Sequence, residues 1–317
     1  MSPGVIKING ENIGVVHSHG EVADVNIRFH QNNSAGLTTF NPIIAVKDGS
    51  ILANSNSYII ETHYLNNPYE QHHKIFDNIH KNFKNIMSCT EPQVVTHKCF
   101  YLSNSFMDSN IGHAFSIIFY IFKHYKIDQS LKFVIPENTL DNIKKILLIF
   151  LNPDQIFQLQ ENVTYKFENI FFPNLPQSSI CSIELQKEPV DKIIDHVKAV
   201  KFEEDLLNKK IFLVKRNNLE KYCSPSGYNI TPDAQEYLLS KDVLIIKPEE
   251  FCIYKLIYLL LHASIIFTSP GAISYAHMIF FNKNAKLVFV SNPYAYSQSL
   301  NFTYIPDISK SQLQKFL

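Results

Sequence analysis

The stretch Ile265-Ile266-Phe267-Thr268-Ser269-Pro270-Gly271-Ala272-Ile273-Ser274-Tyr275-Ala276-His277-Met278 leads from an apolar run, through small residues, into a helical pattern. This order is typical of a buried parallel strand, a tight turn and a helix N-terminus. Backbone N–H groups and the positive end of the helix dipole meet at such a turn, and both favour an anion. In an open α/β sheet, ligands bind beyond the carboxyl ends of the strands. The stretch therefore suggests a phosphate-bearing ligand, although an ordinary strand–helix turn has the same pattern.

The last third of the chain repeats this alternation of strand and helix. Strands are predicted at 210–214, 243–246, 265–268 and 287–290, and helices at 231–240, 251–262 and 273–280. Thr231 is the expected N-cap of its helix, and Pro232 is the expected first helical residue. Alternation of this kind predicts a parallel doubly wound sheet.

The first part of the chain mixes strands and helices. Strands are predicted in 41–52, around an Asp48-Gly49 turn, and at 94–102, 132–135 and 156–171; helices are predicted at 72–87, 110–125, 141–151 and 190–207. The pattern indicates an α/β fold with extra β structure at the N-terminus. We predict an N-terminal domain over 1–185 and a C-terminal domain over 186–300. Residues 301–317 are expected to end in a short helix, and its return to the N-terminal domain stays open.

The composition is that of a well-packed globular protein. The 317 residues are 45% hydrophobic and 18% charged, with a formal net charge of zero, which gives no electrostatic reason to expect a nucleic-acid partner. Five scattered cysteines without a CxxC pair indicate a reducing compartment and no zinc site. The first residues lack a signal-peptide pattern, and the apolar stretch 256–267 is too short to cross a bilayer. A cytoplasmic location is therefore expected.

Arginine is rare, because nearly every basic residue is lysine. Only Arg28 and Arg216 occur, and an AT-rich genome accounts for much of this bias. An arginine that remains in such a chain indicates a need for a planar, bidentate donor to phosphate or carboxylate. Arg216 follows the predicted strand 210–214, on the same ligand side of the sheet as the opening turn. A surface arginine after a strand is the alternative.

A polar loop precedes the predicted helix 110–125. Asp108 or Asn110 is the expected cap of this helix, and His113 falls in its first turn. The helix dipole favours a neutral imidazole there, which suits a general base for a hydroxyl group. A capping residue followed by a packed histidine is the alternative.

Other motifs carry less weight. Glu249 and Glu250 follow the strand 243–246 and precede a helix, which one of them is expected to cap. No DxD-type pair follows a strand in the last third of the chain, so an obligatory metal clamp on a diphosphate is not expected. The opening turn is neither a Walker P-loop nor a GxGxxG motif.

The order and spacing of several of these motifs resemble glycosyltransferase family 61, which includes bacterial capsular-polysaccharide transferases. The motifs are the β-rich start with Val46-Lys47-Asp48-Gly49-Ser50-Ile51-Leu52, Asn110-x-Gly112-His113, Phe212-Leu213-Val214-Lys215-Arg216, Ile245-Ile246-Lys247-Pro248-Glu249-Glu250, His262-Ala263-Ser264-Ile265-Ile266 and Ser269-Pro270-Gly271-Ala272. The similarity covers about residues 40 to 290. No single motif in it is decisive.

The resemblance implies a GT-B fold, in which two Rossmann-like domains face each other across a cleft. It implies an inverting transfer from a nucleotide sugar to a glycan or lipid-linked acceptor, without a cofactor or a catalytic metal, in surface polysaccharide synthesis. By position, Arg216 and the turn would hold the diphosphate, the loop after the strand 243–246 would lie by the base or ribose, and Asp108 and His113 would serve the acceptor. The donor residues so implied are Arg216, Lys247, Glu249, Glu250, Ser269, Pro270, Gly271, Ala272 and Ser274.

Two other classes of protein remain open at this stage. One is another GT-B-like enzyme with an anionic donor, such as a sialyl- or pyruvyl-transferase. The other is a non-catalytic descendant that binds glycans. The donor sugar, the acceptor, the linkage, the oligomeric state and a peripheral association with a membrane are also open.

Overall fold

The computed structural model of the chain describes residues 4–8, 11–17, 20–29, 43–53, 80–102, 111–174, 187–200, 202, 209–213, 232–268, 282, 284–290, 302–305 and 309–317. The chain divides into two compact units, whose main boundary falls between 181 and 182. Each unit combines a sheet with helices, so the predicted α/β class is confirmed.

Ten strands of the first unit form one mixed sheet. The strands are β1 (Gly4–Ile8), β2 (Glu11–His17), β3 (Gly20–Phe29), β4 (Ile43–Lys47), β5 (Ser50–Ala53), β6 (Gln93–Val95), β7 (Cys99–Tyr101), β8 (Lys132–Pro136), β9 (Ile156–Leu159) and β10 (Thr164–Phe172). Their order across the sheet is β1-β2-β5-β4-β3-β10-β7-β8-β9, and β6 pairs with β10.

The hairpin of β4 and β5 confirms the prediction made from the Asp48-Gly49 dipeptide. Both residues have positive φ angles, 51° at Asp48 and 76° at Gly49. A two-residue turn with this backbone matches the right-handed twist of the strands that it joins. The hairpin belongs to the antiparallel part of the sheet, in which β3 pairs with β4 on one side and with β10 on the other.

The other part of the sheet is parallel and carries the helices. Besides the helical residues 80–87, which we name α1, the first unit has α2 (Ile111–His124), between β7 and β8, and α3 (Asp141–Leu147), between β8 and β9. Counted along the chain from β7, the strand order is 3-2-1-4, as in one half of a doubly wound sheet. The predicted helix 141–151 was too long, because α3 ends at Leu147 and the chain continues in turns.

The parallel part has a core on each face. On one face, α2 packs on the sheet through aromatic rings. The ring centroid of Phe122 in α2 lies 6.0 Å from that of Phe133 in β8 and 4.3 Å from that of Phe150, in the turns after α3. On the other face, buried residues from β3 to β10 form one apolar cluster. Phe157 of β9 lies 5.7 Å from Phe167 of β10, although two strands separate β9 from β10 in the sheet. The sheet therefore curls, and the short connection 160–163 can join β9 to β10.

The second unit contains a five-stranded, fully parallel sheet. Its strands are β11 (Lys210–Leu213), β12 (Val243–Ile246), β13 (Ile265–Thr268), β14 (Lys286–Val290) and β15 (Phe302–Ile305), and the helices are α4 (Lys187–Ala199), α5 (Pro232–Ser240), α6 (Ile253–His262) and α7 (Lys310–Leu313). The order β12-β11-β13-β14-β15 is 2-1-3-4-5, that of flavodoxin-like doubly wound sheets. The predicted parallel sheet is confirmed, while β15 was missed. The helix predicted at 190–207 corresponds to α4, which begins at Lys187 and ends at Ala199, so the prediction began too late and ran too far.

The helices of the second unit cover both faces of its sheet. The connection from β11 to β12 and the connection from β12 to β13 run in opposite directions across the sheet, so right-handed crossovers place α5 and α6 on opposite faces. On the face of α5, Phe212, Phe267 and Val288 form a row of paired positions and are fully buried. This row belongs to the same apolar cluster as Leu238 of α5.

The C-terminal helix, for which a return to the first domain was left open, packs within the second unit. Leu313 of α7 is fully buried in the cluster that contains Phe267, and Phe316 lies edge-on to the Phe267 ring at 6.2 Å. Ser309 accepts a hydrogen bond from the backbone N–H of Gln312 and caps the helix. The chain end therefore completes the core beneath α5.

A single side chain ties the start of β14 to the end of α6. The amide nitrogen of Asn282 donates to the carbonyl oxygens of Leu260, Leu261 and Ala263, at 2.7, 3.1 and 2.9 Å. Its oxygen accepts from the backbone N–H groups of 284 and 285. Carbonyl groups at the end of a helix, where intrahelical donors run out, thus receive a donor from outside the helix.

We predict that Phe267→Ala lowers the free energy of unfolding of the second unit by about 3–5 kcal/mol, because the fully buried ring leaves a cavity between Phe212 and Phe316. Urea denaturation measures this loss. Leu239→Ala, on the exposed side of α5, is the matched control and should change stability by less than about 1 kcal/mol. Equal effects of the two substitutions would contradict the assigned core.

Candidate functional site

Three segments leave the parallel sheet of the second unit side by side. Leu213, at the end of β11, pairs with Ile246, at the end of β12. On its other side β11 pairs with β13, which ends at Thr268. The strand order reverses between β11 and β13, and ligands bind at such a switch point in doubly wound sheets. The residues that follow Leu213, Ile246 and Thr268 therefore begin at the edge where a ligand is expected.

All of the predicted donor residues lie in segments that begin at this edge. Arg216 is the third residue after Leu213, and Ser269 directly follows Thr268. Arg216 and the predicted turn residues Ser269, Pro270, Gly271, Ala272 and Ser274 lie outside the described residues. Thr268 itself is buried, as the predicted strand end requires.

The loop after β12 contains the remaining predicted donor residues. Lys247 directly follows Ile246, and residues 248–250 form a short 3-10 turn that also contains Glu249. The ammonium group of Lys247 donates to the carboxylate of Glu250 at 3.0 Å, and the two side chains are 41% and 59% exposed. An ion pair this exposed contributes at most about 1 kcal/mol, so a ligand can replace either partner at little cost.

The predicted acceptor residues belong to the first unit. Asp108 lies outside the described residues, between β7 and α2. His113 is the third residue of α2, so its expected place in the first turn of a helix is confirmed, while its side chain lies outside the described part. β7 is the strand beside which the order 3-2-1-4 reverses. The loop from β7 to α2 therefore starts at a switch point of its own.

Arg28, the other arginine of the chain, has a structural partner within the first sheet. It lies in β3 and donates from Nη1 to the hydroxyl of Thr164 in the paired strand β10, at 3.0 Å. Burial lowers the pKa of its guanidinium group.

Groups with shifted pKa values occur in both units. Burial raises the pKa of the Cys99 thiol, at the start of β7, to about 12, so this cysteine is not a nucleophile at neutral pH. Burial also raises the pKa of Tyr254 and lowers that of His262, both on α6.

The described residues lack two further features. They contain no group of three or more His, Cys, Asp and Glu side chains that could hold a metal ion. In the same part of the chain, no helix is both long enough and apolar enough to cross a bilayer.

One pocket was missed from the sequence. It lies on the first unit, beside the first residues of β7 and β8, and its walls include Phe100, Tyr125 and Phe171. These rings come from two strands and from the end of a helix, so no local motif could have indicated the pocket.

Comparison with protein families and with curated proteins gave no relative from which a role could be transferred. No family model matches the chain, and a search of the curated proteins returned no significant match.

We predict that the second unit loses stability as the pH falls below 6.5. Burial, with a smaller contribution from Lys198, holds the pKa of His262 below its ordinary value of 6.5. Between the lowered value and 6.5, the unfolded chain binds more protons than the folded chain, so the stability present above 6.5 is lost as the pH falls. Urea denaturation at several pH values measures this slope.

The substitution His262→Gln should flatten the slope. His196→Gln, at an exposed histidine of the neighbouring helix α4, is the control and should keep it. An unchanged slope in His262→Gln would contradict the assignment.

Proposed function

We propose that the chain is an inverting glycosyltransferase that moves a sugar from a nucleotide-sugar donor to a hydroxyl group of a glycan acceptor. One observation carries the proposal. The segments with Arg216, Lys247 and Ser269 start from three neighbouring strand ends of a parallel sheet, at and beside its switch point. Doubly wound sheets bind nucleotides at this place.

The chemistry of the three segments suits a nucleoside diphosphate. An arginine binds phosphate oxygens with two parallel hydrogen bonds, and a helix that begins near Ser269 would add N–H donors and its dipole. Glu250 follows β12, the second strand of the unit along the chain. In doubly wound sheets, an acidic residue at this position accepts hydrogen bonds from the hydroxyl groups of the ribose. Lys247, 3.0 Å from this carboxylate, would hold it in place.

The reaction proposed is a single displacement at the anomeric carbon. His113, with Asp108 as its alternative, removes the proton of the acceptor hydroxyl, and the oxygen forms the new glycosidic bond. The bond to the nucleoside diphosphate breaks at the same time, and the leaving group departs with the electron pair. Arg216 and the helix N-terminus stabilise the negative charge that develops on it. The sequence motifs, in their order, support these roles.

The proposal includes a GT-B architecture and a role in surface polysaccharide synthesis. The doubly wound sheet of the second unit and the 3-2-1-4 order of β7 to β10 support the architecture. The resemblance of the sequence to family 61 supports the biological role. The proposed site requires no metal ion, because Arg216 and backbone N–H groups take over charge neutralisation.

We predict that Arg216→Ala lowers turnover by about 100- to 1,000-fold, because the charge on the leaving group loses its main partner. The free energy of unfolding should change by less than about 1 kcal/mol. Steady-state transfer assays and urea denaturation measure the two quantities. Lys241→Ala, at an exposed lysine after α5, is the control and should keep turnover unchanged. Near-normal turnover in Arg216→Ala would refute the site.

We predict that the full chain binds a nucleoside diphosphate more tightly than phosphoenolpyruvate in calorimetric titrations with UDP, GDP, CMP and phosphoenolpyruvate. Glu250→Gln should weaken nucleotide binding about tenfold and leave the binding of inorganic pyrophosphate unchanged, since it removes a partner of the ribose. A preference for CMP or phosphoenolpyruvate would support a sialyl- or pyruvyl-transferase instead. Glycan binding without any nucleotide binding would support a non-catalytic descendant.

A further inference from the structure

The pocket on the first unit has a volume of about 220 Å³. Pockets for drug-sized ligands usually have 300–1,000 Å³, so this one has room for a single ring with a short polar chain. The residues that line it belong to β3, β7, β10, the end of α2 and the approach to β8. All of them lie in the first unit, and none is a residue of the proposed transferase site.

Three aromatic residues that line the pocket contact one another. Phe100 and Phe171 stack with centroids 5.3 Å apart and an interplanar angle of 25°. Tyr125 stands edge-on to both, at 5.4 Å from Phe100 and 5.6 Å from Phe171. Aromatic rings prefer such stacked and edge-to-face partners, so a further ring in the pocket finds favourable contacts.

The Tyr125 ring is held in place before any ligand binds. Its hydroxyl accepts a hydrogen bond from the backbone N–H of Asn174 at 2.9 Å and lies 3.3 Å from the carbonyl oxygen of the same residue, to which it donates. A ligand therefore meets a preformed wall and does not bear the cost of ordering it. Because this hydroxyl group already accepts from and donates to the backbone of Asn174, we do not expect it to bind the ligand.

Charged side chains of both signs surround the rings. Glu21 lies directly opposite Phe171 in the pairing of β3 with β10, and Lys98 and Lys126 line the same pocket. All three side chains are exposed. Within the described residues, no salt bridge includes Glu21, Lys98 or Lys126. The pocket thus offers a carboxylate and two ammonium groups to one small ligand.

We propose that this pocket binds a free aromatic amino acid. The aromatic side chain packs against Phe100, Tyr125 and Phe171, the α-carboxylate pairs with Lys98 or Lys126, and the α-ammonium pairs with Glu21. The proposal is independent of the transferase site, so either can fail without the other.

The test is a calorimetric titration of the full chain with four compounds. L-Phenylalanine is the probe; 3-phenylpropionate lacks the ammonium group, phenethylamine lacks the carboxylate, and N-acetylphenylalaninamide lacks both charges. We expect a dissociation constant on the order of 1 mM for phenylalanine, as small ligands of this size show. The two analogues that lack one charge should each bind about tenfold more weakly, and N-acetylphenylalaninamide, which lacks both, about 100-fold more weakly.

Three variants identify the contacts. Glu21→Gln should weaken phenylalanine and phenethylamine binding but not 3-phenylpropionate binding. The double variant Lys98→Met with Lys126→Met should weaken the binding of 3-phenylpropionate but not the binding of phenethylamine. Leu131→Trp fills the pocket from its wall and should abolish binding; since the chain contains no tryptophan, fluorescence of the new residue reports whether the variant folds and buries it.

Lys81→Met, at an exposed lysine on α1, is the matched control and should bind phenylalanine as the parent chain does. Absence of saturable phenylalanine binding would overturn the proposal. Equal binding of N-acetylphenylalaninamide would also overturn it, and would indicate an aromatic side chain of a peptide as the occupant. Retained binding in a folded Leu131→Trp variant would place the ligand elsewhere.

Discussion

β11 pairs in parallel with β12 on one side and with β13 on the other, and the organisation of the second unit depends on this pairing. Parallel neighbours must have their carboxyl ends at the same edge, so the chain has to cross the sheet after every strand. The crossovers on either side of β11 run in opposite directions, which sends α5 and α6 to opposite faces and leaves a crevice between them. Every candidate donor residue lies in a segment that starts at this edge.

Strong periodic signals allowed much of the fold to be predicted from the sequence. The strands β11, β12 and β13 are short apolar runs followed by polar or small residues, and each was predicted to within one residue. The strand β15 was not predicted, because the polar Thr303 interrupts its apolar pattern. Nor could the sequence show that β3 and β10 pair along most of their length, because this contact joins positions far apart in the chain, from Arg28 with Thr164 to Gly20 with Phe172.

The candidate site also has features that the sequence predicts and features that only the structure shows. Strand–helix alternation was enough to predict Lys247 and Glu250 at the carboxyl edge, since residues that directly follow a parallel strand lie at the carboxyl edge of the sheet. Their ion pair depends on the geometry of a 3-10 turn, which composition does not reveal. The aromatic pocket was still less accessible to sequence reasoning. Phe100 and Phe171 become neighbours only because β7 and β10 pair in one particular register.

The tie formed by Asn282 also bears on how this protein ages. Its side chain works because one end is an N–H donor facing three carbonyl oxygens, while the other end accepts from the backbone. Hydrolysis of the amide, the slow deamidation to which asparagine is prone, would leave two acceptor oxygens and a negative charge in the same place. The carboxylate would then repel the end of α6 that the amide had held. A stored sample would lose this tie when the side-chain NH2 group of Asn282 is replaced by an oxygen, without any break in the chain.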